Sequence, residues 1–222
     1  NFDAVEALKG INIDVPKGEI RGLVGKNGAG KSTLIKILTG YLKPDSGQIY
    51  IEGKPVEFST PGDSRKYGIE AAYQQFSLLP SRPIYENIFL SSLFTKGGLI
   101  DDGKMKKETE KLLEEYEIPL NPSDKIEDLP IHMRQLVEIL KALARNPSIL
   151  LLDEPTASLS EEEAEFLHNK LFTLKEKGVA IIYVSHILED VLECSDSVTV
   201  LRDGEVVDTK PKENYDIKTL TE

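Results

Sequence analysis

The chain has 222 residues, of which 40% are hydrophobic and 29% are charged. This composition is typical of a soluble globular protein with one large domain or two small ones, and it argues against disordered, collagen-like and repetitive chains. The longest apolar run, Val179 to Val184, is far shorter than the roughly 20 residues that a membrane-spanning helix needs. The 27 basic and 38 acidic residues give a net charge of −11. This balance argues against nucleic acid and anionic membrane surfaces as main partners, because clustered lysine and arginine drive binding to phosphates.

Two single residues bear on the cellular context. Cys194 is the only cysteine, so an internal disulfide bond is impossible, which suits a reducing compartment. The chain begins at Asn1 without the basic start and apolar stretch that mark a secretory signal. Because the first residue is not methionine, we expect the sequence to be a piece of a longer chain.

The first third of the chain alternates short apolar strands with turns rich in glycine and proline. The segment from Ile20 to Val24 predicts a buried strand. A helix is predicted next, from apolar residues at helical spacing, namely Leu34, Ile35, Leu38 and Tyr41. Segments 48–51 and 54–56 flank Glu52-Gly53 and predict a hairpin.

The middle of the chain, from residue 76 to about residue 147, is predicted to be mostly helical. Two apolar stripes at helical spacing support this interpretation. The first stripe contains Met105, Leu112, Leu113 and Tyr116, and the second contains Met133, Leu136, Val137, Leu140 and Leu143.

From residue 148 the alternation of strands and helices resumes. The continuous apolar run 149–152 predicts a strand buried on both faces. The capping box Ser160-x-x-Glu163 announces a helix, 179–184 predicts another strand, and Asp203-Gly204 joins the strands of a closing hairpin. The whole pattern predicts an α/β core, residues 1–75 and 148–222, interrupted by a helical subdomain at residues 76–147.

A glycine-rich loop between the first strand and the first helix fits the phosphate-binding pattern G-x-x-x-x-G-K-[ST]. Its residues are Gly25, Lys26, Asn27, Gly28, Ala29, Gly30, Lys31 and Ser32, and Thr33 extends it. Such a loop wraps phosphates with backbone N–H groups, and the helix beginning near Lys31 adds the positive end of its dipole. In this pattern the lysine reaches the β- and γ-phosphates and the Ser32 hydroxyl ligates Mg²⁺. A plain turn before a helix is the alternative, and the strand and helix on either side argue against it.

An acidic pair, Asp153 and Glu154, ends the apolar strand 149–152. A carboxylate at the end of a strand that neighbours the phosphate-loop strand can hold Mg²⁺ through water, and we assign this role to Asp153. The next carboxylate, Glu154, can accept a proton from the water that attacks the γ-phosphate. Alone, the pair would be two polar residues that end a strand; the phosphate loop makes the catalytic interpretation the stronger one.

With both motifs in this order, the chain resembles an ABC-type ATP-binding module over essentially all of its length. The resemblance implies one P-loop NTPase core, with a RecA-like mixed sheet, helices and an antiparallel β subdomain, into which a helical subdomain is inserted. It also implies that the module hydrolyses ATP, with ATP and Mg²⁺ as its cofactors.

The resemblance assigns roles to three further residues. Phe2 lies where the family has an aromatic residue that stacks on adenine. Gln74, or Gln75 if the alignment is shifted by one position, lies where a glutamine contacts Mg²⁺ and the attacking water. His186 lies where the switch histidine contacts the γ-phosphate. The alternatives are plain packing for Phe2, a surface position for Gln74 and a structural role for His186.

One family motif is degenerate in this chain. ABC modules work in pairs, and each nucleotide lies between the phosphate loop of one module and the signature motif of the other, typically Leu-Ser-Gly-Gly-Gln. The aligned residues here are Leu129, Pro130, Ile131, His132, Met133, Arg134 and Gln135. The serine hydroxyl is replaced by proline, and the glycines that allow close backbone approach are replaced by isoleucine and histidine. We therefore expect an asymmetric pair in which this module presents a poor signature to the nucleotide of its partner.

This departure, together with residues 98–101, 137–139 and 200–204, resembles one subgroup, the first module of the tandem ATPase subunits of monosaccharide importers. The resemblance implies a motor at the cytoplasmic face of the cell membrane that drives import of ribose or another simple sugar. Its implied partners are a second ABC module in the same chain, transmembrane permease subunits and, indirectly, a substrate-binding protein, with no nucleic acid. The alternatives are a nucleoside or autoinducer importer and a soluble ABC ATPase outside transport. The acidic charge and the short interval between Lys31 and Asp153 argue against the soluble class.

Overall fold

The computed structural model describes residues 6–73, 77–90, 92–96 and 98–216. In chain order its elements are β1 (Ile20–Val24), α1 (Lys31–Leu38), β2 (Ile49–Ile51), β3 (Lys54–Val56), α2 (Pro61–Lys66), β4 (Ile69–Ala72), α3 (Ile84–Phe89), β5 (Thr95–Lys96), β6 (Leu99–Ile100), α4 (Asp102–Glu115), α5 (Ile131–Leu143), β7 (Ile149–Asp153), α6 (Glu161–Glu176), β8 (Ala180–Val184), α7 (Leu188–Cys194), β9 (Ser197–Arg202) and β10 (Glu205–Pro211). Single turns of 3₁₀ helix lie at Ile126–Asp128 and Lys212–Asn214.

The chain divides into two compact units. The first comprises residues 1–74 and 147–222, and the second comprises residues 75–146. Within the described residues, the first unit contains the main sheet with α1, α2, α6 and α7, and the second contains α3, α4, α5 and the small β5–β6 hairpin.

The main sheet of the first unit has the strand order β10-β9-β1-β8-β7-β4. Strand β1 runs parallel to β8 and β9, and β7 runs parallel to β4 and β8, while β10 pairs antiparallel with β9. The carboxyl ends of β1, β7 and β8 therefore meet at the same edge of the sheet. In open α/β sheets this is the edge where ligands bind.

The core of the first unit lies on both sides of these central strands. Every residue of β1 and β8 is buried, and α1 packs against β7 while α7 packs against β1. Leu23, Ile35, Leu151 and Val184 belong to one contiguous apolar cluster. This burial explains why β7 and β8 are almost continuously apolar: neither strand has a face that meets water.

Helix α6 begins with the predicted capping box. The Ser160 hydroxyl accepts a hydrogen bond from the Glu163 backbone N–H at 3.3 Å, and the Glu163 carboxylate accepts one from the Ser160 N–H at 2.9 Å. Two N–H groups of the first turn that have no partner within the helix are thereby satisfied. The inward face of the helix contains Ala164, Leu167, His168, Leu171 and Leu174.

One detail of the predicted first helix is wrong. Helix α1 ends at Leu38, and Tyr41, which the spacing placed on its apolar stripe, is 58% exposed. The chain turns away after Thr39, where Gly40 has a φ of 74°. Helix α2 and the β5–β6 hairpin were not predicted, because both are too short to show a periodic pattern.

The second unit is held together around buried polar side chains as well as apolar ones. The Asn87 side chain is fully buried, and its amide donates to the Pro83 carbonyl at 3.0 Å while its oxygen accepts from the Leu79 N–H at 2.6 Å. On α5, the buried Glu138 carboxylate accepts a hydrogen bond from the Ser77 hydroxyl at 2.6 Å. These bonds fix the segment 77–87 on the helical unit.

Among the described residues, no helix combines the length and apolarity needed to cross a membrane.

Candidate nucleotide site

The phosphate loop (residues 25–32) connects the end of β1 to the start of α1. Gly30 is the N-cap of α1 and has a φ of 108°, in the left-handed region that favours glycine. An N-cap glycine has no side chain to accept hydrogen bonds from the first N–H groups of its helix. The positive end of α1 is therefore presented to the loop, an arrangement that suits an anion.

The loop has its own internal hydrogen bonds. The Ala29 N–H donates to the Lys26 carbonyl at 3.0 Å, and the Ala29 carbonyl accepts from the Gly204 N–H at 3.1 Å. The second bond ties the loop to the turn between β9 and β10. Lys26, Asn27 and Gly28 are exposed, whereas Ala29 is buried. The exposed part of the loop is thus anchored to the sheet through Ala29.

The Lys31 side chain folds back over the loop. It is only 8% exposed, and its ammonium donates to the carbonyls of Gly25 at 2.6 Å and Lys26 at 3.3 Å. Ser32 and Thr33 follow in the first turn of α1, with Ser32 exposed and Thr33 half-buried. A full positive charge and the helix N-terminus therefore lie at the same place, as the sequence pattern predicted.

Asp153 is the last residue of β7 and pairs in register with Val184 of β8. Burial raises the pKa of Asp153, and the neighbouring Glu154 charge adds to this effect. The ammonium groups of Lys31 and Lys36 lower the same pKa, so this carboxyl lies within electrostatic range of the phosphate-loop lysine. A divalent cation would relieve the cost of keeping the half-buried Asp153 charged beside a second carboxylate.

Glu154 and His186 are brought into direct contact. The Glu154 backbone has a φ of 54°, unusual for a residue other than glycine, and its N–H donates to the Val184 carbonyl at 2.8 Å. Oxygen Oε2 of Glu154 lies 2.6 Å from His186 Nδ1 and accepts a second hydrogen bond from the His186 backbone N–H at 3.2 Å. The Glu154 side chain is 12% exposed and that of His186 is 59% exposed. The turn thus aims the two predicted catalytic side chains at each other.

Three predicted positions cannot be placed. Phe2, Gln74 and the alternative Gln75 lie outside the described residues. Their roles therefore remain predictions from the resemblance alone.

The degenerate signature lies in the second unit, at the start of α5. Pro130 is the N-cap of the helix, and Ile131, its first residue, is 51% exposed. The Arg134 guanidinium donates to the carbonyls of Leu129 at 2.8 Å and Glu127 at 3.0 Å. Gln135 is buried, and its side-chain nitrogen has no partner among the described residues. The helix start therefore offers neither a hydroxyl nor glycine backbone to a phosphate.

A group of polar residues behind Glu154 and His186 was not singled out from the sequence. Thr156, His168, Tyr183 and Asp190 are joined by side-chain contacts; the first three are buried and Asp190 is half-buried. His168 lies four residues after Ala164 and three before Leu171 on α6, so its spacing already indicated an inward side chain.

Comparison with known proteins places these features in a family. Residues 8–157 match the ABC transporter family. A xylose import ATP-binding protein of Thermoanaerobacter pseudethanolicus is 48% identical over 216 residues, which are 96% of this chain and 43% of that protein. A ribose import ATP-binding protein of Rubrobacter xylanophilus is 44% identical over 206 residues, which are 93% of this chain and 41% of that protein. The chain thus spans less than half the length of these relatives.

A solved structure shares the fold. The crystal structure of the ADP conformation of an ATP-binding cassette of an ABC transporter has a TM-score of 0.85 and 29% sequence identity, and the match covers 100% of this chain and 91% of that one. The predicted α/β fold with its phosphate loop is confirmed by this likeness. The family match extends over more than half of the residues and includes both the phosphate loop and the acidic pair. The chain belongs to the ABC transporter family.

Proposed function

We propose that this ABC module binds ATP together with Mg²⁺, hydrolyses it, and serves as the motor of an importer for a simple sugar. The observation that carries the ATPase part is the convergence of the phosphate loop, Asp153, Glu154 and His186 at one edge of the sheet, where β1, β7 and β8 end. A cation-bearing loop beside a pair of carboxylates is the arrangement that phosphoryl transfer requires.

The nucleotide would be held mainly through its phosphates. Residues from Asn27 to Thr33 provide the backbone N–H groups and the helix N-terminus for the triphosphate. The Lys31 ammonium, which donates to two loop carbonyls, would exchange these bonds for bonds to the β- and γ-phosphates. Phe2 is assigned by resemblance to stack on the adenine ring.

The residues present fit Mg²⁺. Ser32 and Asp153 offer oxygen ligands, as Gln74 does by resemblance, and α1 with Ser32 packs against β7 with Asp153. Among the described residues, no cluster of three or more His, Cys, Asp or Glu side chains could hold a metal ion unaided. A site with few protein ligands suits a cation that arrives with nucleotide phosphates. When bound, Mg²⁺ neutralises charge on the β- and γ-phosphates.

Glu154 would act as the general base. Its carboxylate takes a proton from a water molecule while the water oxygen attacks the γ-phosphorus, the bond to the β-phosphate oxygen breaks, and ADP and phosphate are formed. Lys31 would stabilise the charge on the transferring group. His186, whose Nδ1 faces Glu154 at 2.6 Å, retains a second ring nitrogen, Nε2, for a hydrogen bond to the γ-phosphate.

The test of this chemistry is Glu154→Gln, made in the natural full-length protein with its membrane subunits. The amide keeps the shape of the side chain but cannot accept the proton, so phosphate release is expected to fall roughly 10²- to 10⁴-fold. ATP affinity, measured with a fluorescent nucleotide, should stay within about twofold. Glu165→Gln, an exposed substitution of the same kind on α6, is the control. Undiminished hydrolysis by Glu154→Gln would exclude this residue as the base.

The transport part of the proposal is supported by the names of the relatives. Xylose and ribose import ATP-binding proteins are 48% and 44% identical to this chain. We therefore propose a monosaccharide, such as xylose or ribose, as cargo. Uptake of labelled sugars and nucleosides by vesicles that contain the assembled transporter would decide between sugar import and the nucleoside alternative.

The proposed partners are a second ABC module, transmembrane permease subunits and, indirectly, a substrate-binding protein, with the motor at the cytoplasmic face of the membrane. The region that we expect to contact the permease runs from Gln74 to about Asn87, because it joins the core to the helical subdomain. Within it, the described segment 77–87 is held by hydrogen bonds of Asn87 and Glu138.

The altered signature supports an asymmetric pair, in which the partner module completes the site at the phosphate loop of this chain. Lys31→Ala should then abolish most ATPase activity of the transporter, whereas the matching lysine change in the second module should have a small effect. Equal losses from the two changes would contradict the asymmetry.

A further inference from the structure

A largely buried polar cluster is formed by residues close in the chain to the proposed catalytic pair and by one residue of α6. It consists of Thr156, Tyr183, His168 and Asp190, and we call it the Thr156 cluster. The Tyr183 hydroxyl lies 3.1 Å from Thr156 Oγ1 and 3.2 Å from His168 Nε2, and the Thr156 hydroxyl donates to the Asp190 carboxylate. Tyr183, Thr156 and His168 are 0%, 2% and 3% exposed. Asp190 is half-buried. Four separate segments therefore meet through side-chain hydrogen bonds, three of them through side chains that are almost fully shielded from water.

The contacts in the Thr156 cluster allow one proton order when Asp190 is ionised. The Thr156 hydroxyl has a single proton. It donates this proton to the Asp190 carboxylate, because an ionised carboxylate can only accept hydrogen bonds. Tyr183 must then donate to the Thr156 oxygen, and His168 must donate from Nε2 to the Tyr183 oxygen. The polar atoms are satisfied in sequence, so loss of one hydroxyl leaves a buried neighbour without its partner.

The Thr156 cluster connects the two segments that carry the proposed catalytic side chains. Thr156 lies two residues after Glu154, while Tyr183 lies three residues before His186 and Asp190 lies four residues after it. Glu154 itself sits in a left-handed conformation, which costs energy and persists only where the surroundings hold it. The exposed contact between Glu154 and His186 alone is a weak constraint, because water competes for it.

We propose that Thr156, Tyr183, His168 and Asp190 are positioning residues for ATP hydrolysis, which hold the Glu154 turn in register with the segment that carries His186. None of the four touches the reacting atoms; they act through the backbone on either side. This inference rests on the proposed hydrolytic function of Glu154. The competing explanation is that the cluster only stabilises the fold, and the two explanations differ in what happens to turnover.

Thr156→Val removes the central hydroxyl while keeping the shape of the side chain. In the full-length protein with its membrane subunits, we expect kcat for ATP to fall roughly ten- to hundredfold, because misplacement by about 1 Å of a reacting group has an effect of this size. KM for ATP should stay within about twofold, since the phosphate loop is not touched. Thr156→Ser, which keeps the hydroxyl, should restore most of the turnover.

A matched control comes from the same sheet. Thr199 on β9 is 0% exposed, and its hydroxyl contacts Thr209 at 3.0 Å and Arg21 at 3.3 Å. Thr199→Val therefore removes an equally buried hydroxyl with two partners, away from Glu154 and His186. It should lower the urea midpoint of unfolding as Thr156→Val does, with kcat within about twofold of the natural protein.

The outcomes separate the two explanations. A selective loss of kcat in Thr156→Val, rescued by serine and absent in Thr199→Val, supports positioning. Unchanged kcat in Thr156→Val, or equal losses in both valine variants, would overturn it. If Thr156→Val does not fold, Tyr183→Phe provides the same comparison, because it removes a single hydroxyl from the Thr156 cluster. The proposed function fails separately, if Glu154→Gln hydrolyses ATP at the natural rate.

Discussion

Gly30→Ala tests whether the conformation of the phosphate loop depends on the missing side chain. A Cβ atom at Gly30 would lie 2.8 Å from the Ala7 carbonyl oxygen and 2.5 Å from Leu8 Cδ2. The leucine methyl can rotate away, but the carbonyl belongs to the backbone and moves only with its neighbours. Alanine at this position also has to adopt a φ of 108°. The substitution therefore combines backbone strain with a clash.

The two contributions can be separated with a second glycine. Gly178, just after α6, has a φ of 88°, and no described atom lies within 4 Å of a Cβ built there. Gly178→Ala should thus report the left-handed strain alone, about 1–2 kcal/mol in the free energy of unfolding. Overpacking against the Ala7 carbonyl adds about 1–3 kcal/mol. We therefore expect Gly30→Ala to cost about 2–5 kcal/mol in all.

Urea unfolding measures both free energies, and nucleotide titration measures the consequence for the site. Because Gly30 is the N-cap of α1, its displacement moves the N–H groups that face the phosphates, and ATP affinity should fall about tenfold or more. Gly178→Ala should leave the affinity unchanged. If Gly30→Ala were no more destabilising than Gly178→Ala and bound ATP normally, the argument from the Ala7 contact would be refuted.

Two further substitutions test local features of the fold. Ser160→Ala removes the capping box of α6 and should cost about 1 kcal/mol in the urea-measured free energy of unfolding, whereas Ser158→Ala in the exposed loop before it should cost less than about 0.5; equal costs would contradict the cap. The bonds from Lys66 and Thr60 lower the pKa of Asp63 to about 2. Its ionised form therefore stabilises the protein above the usual pKa of an aspartate, and this contribution disappears as the pH falls towards about 2. Asp63→Asn should lower the urea midpoint at pH 7, and the difference should shrink between about pH 4 and about pH 2; a difference that stays constant over this range would contradict the assignment.

Features that depend on neighbouring residues in the chain could be predicted well. The Ser160–Glu163 capping box needs only the N–H groups of its own helix turn. The turn at Asp203-Gly204 needs only two consecutive residues that tolerate a positive φ, here 48° and 81°. The phosphate loop is predictable for the same reason, because its glycines, its lysine and its hydroxyl all lie within eight consecutive residues.

The ends of helices and the shortest elements were predicted less well. The apolar spacing of α1 continues to Tyr41, but the helix ends at Leu38 because the chain turns at Gly40. Helix α2, with six residues, is too short for a periodic pattern, and its sequence signal is confined to its start, where Thr60 and Asp63 form a capping box around a first-turn proline. The β5–β6 hairpin has two residues in each strand, too few for a periodic pattern.

The Thr156 cluster shows why the rest of the site could not be predicted. The inward position of His168 follows from its spacing on α6, and the buried position of Tyr183 follows from the apolar strand around it. Burial of a polar atom implies that it has a hydrogen-bond partner. Which partner it finds depends on the order of the strands and on the helix that covers them, and neither is a local property of the chain. The same dependence makes the cluster suitable for positioning. Its residues meet only when β7, β8, α6 and α7 are all in place. Through Thr156, their hydrogen bonds then hold the Glu154 turn in register with the segment that carries His186.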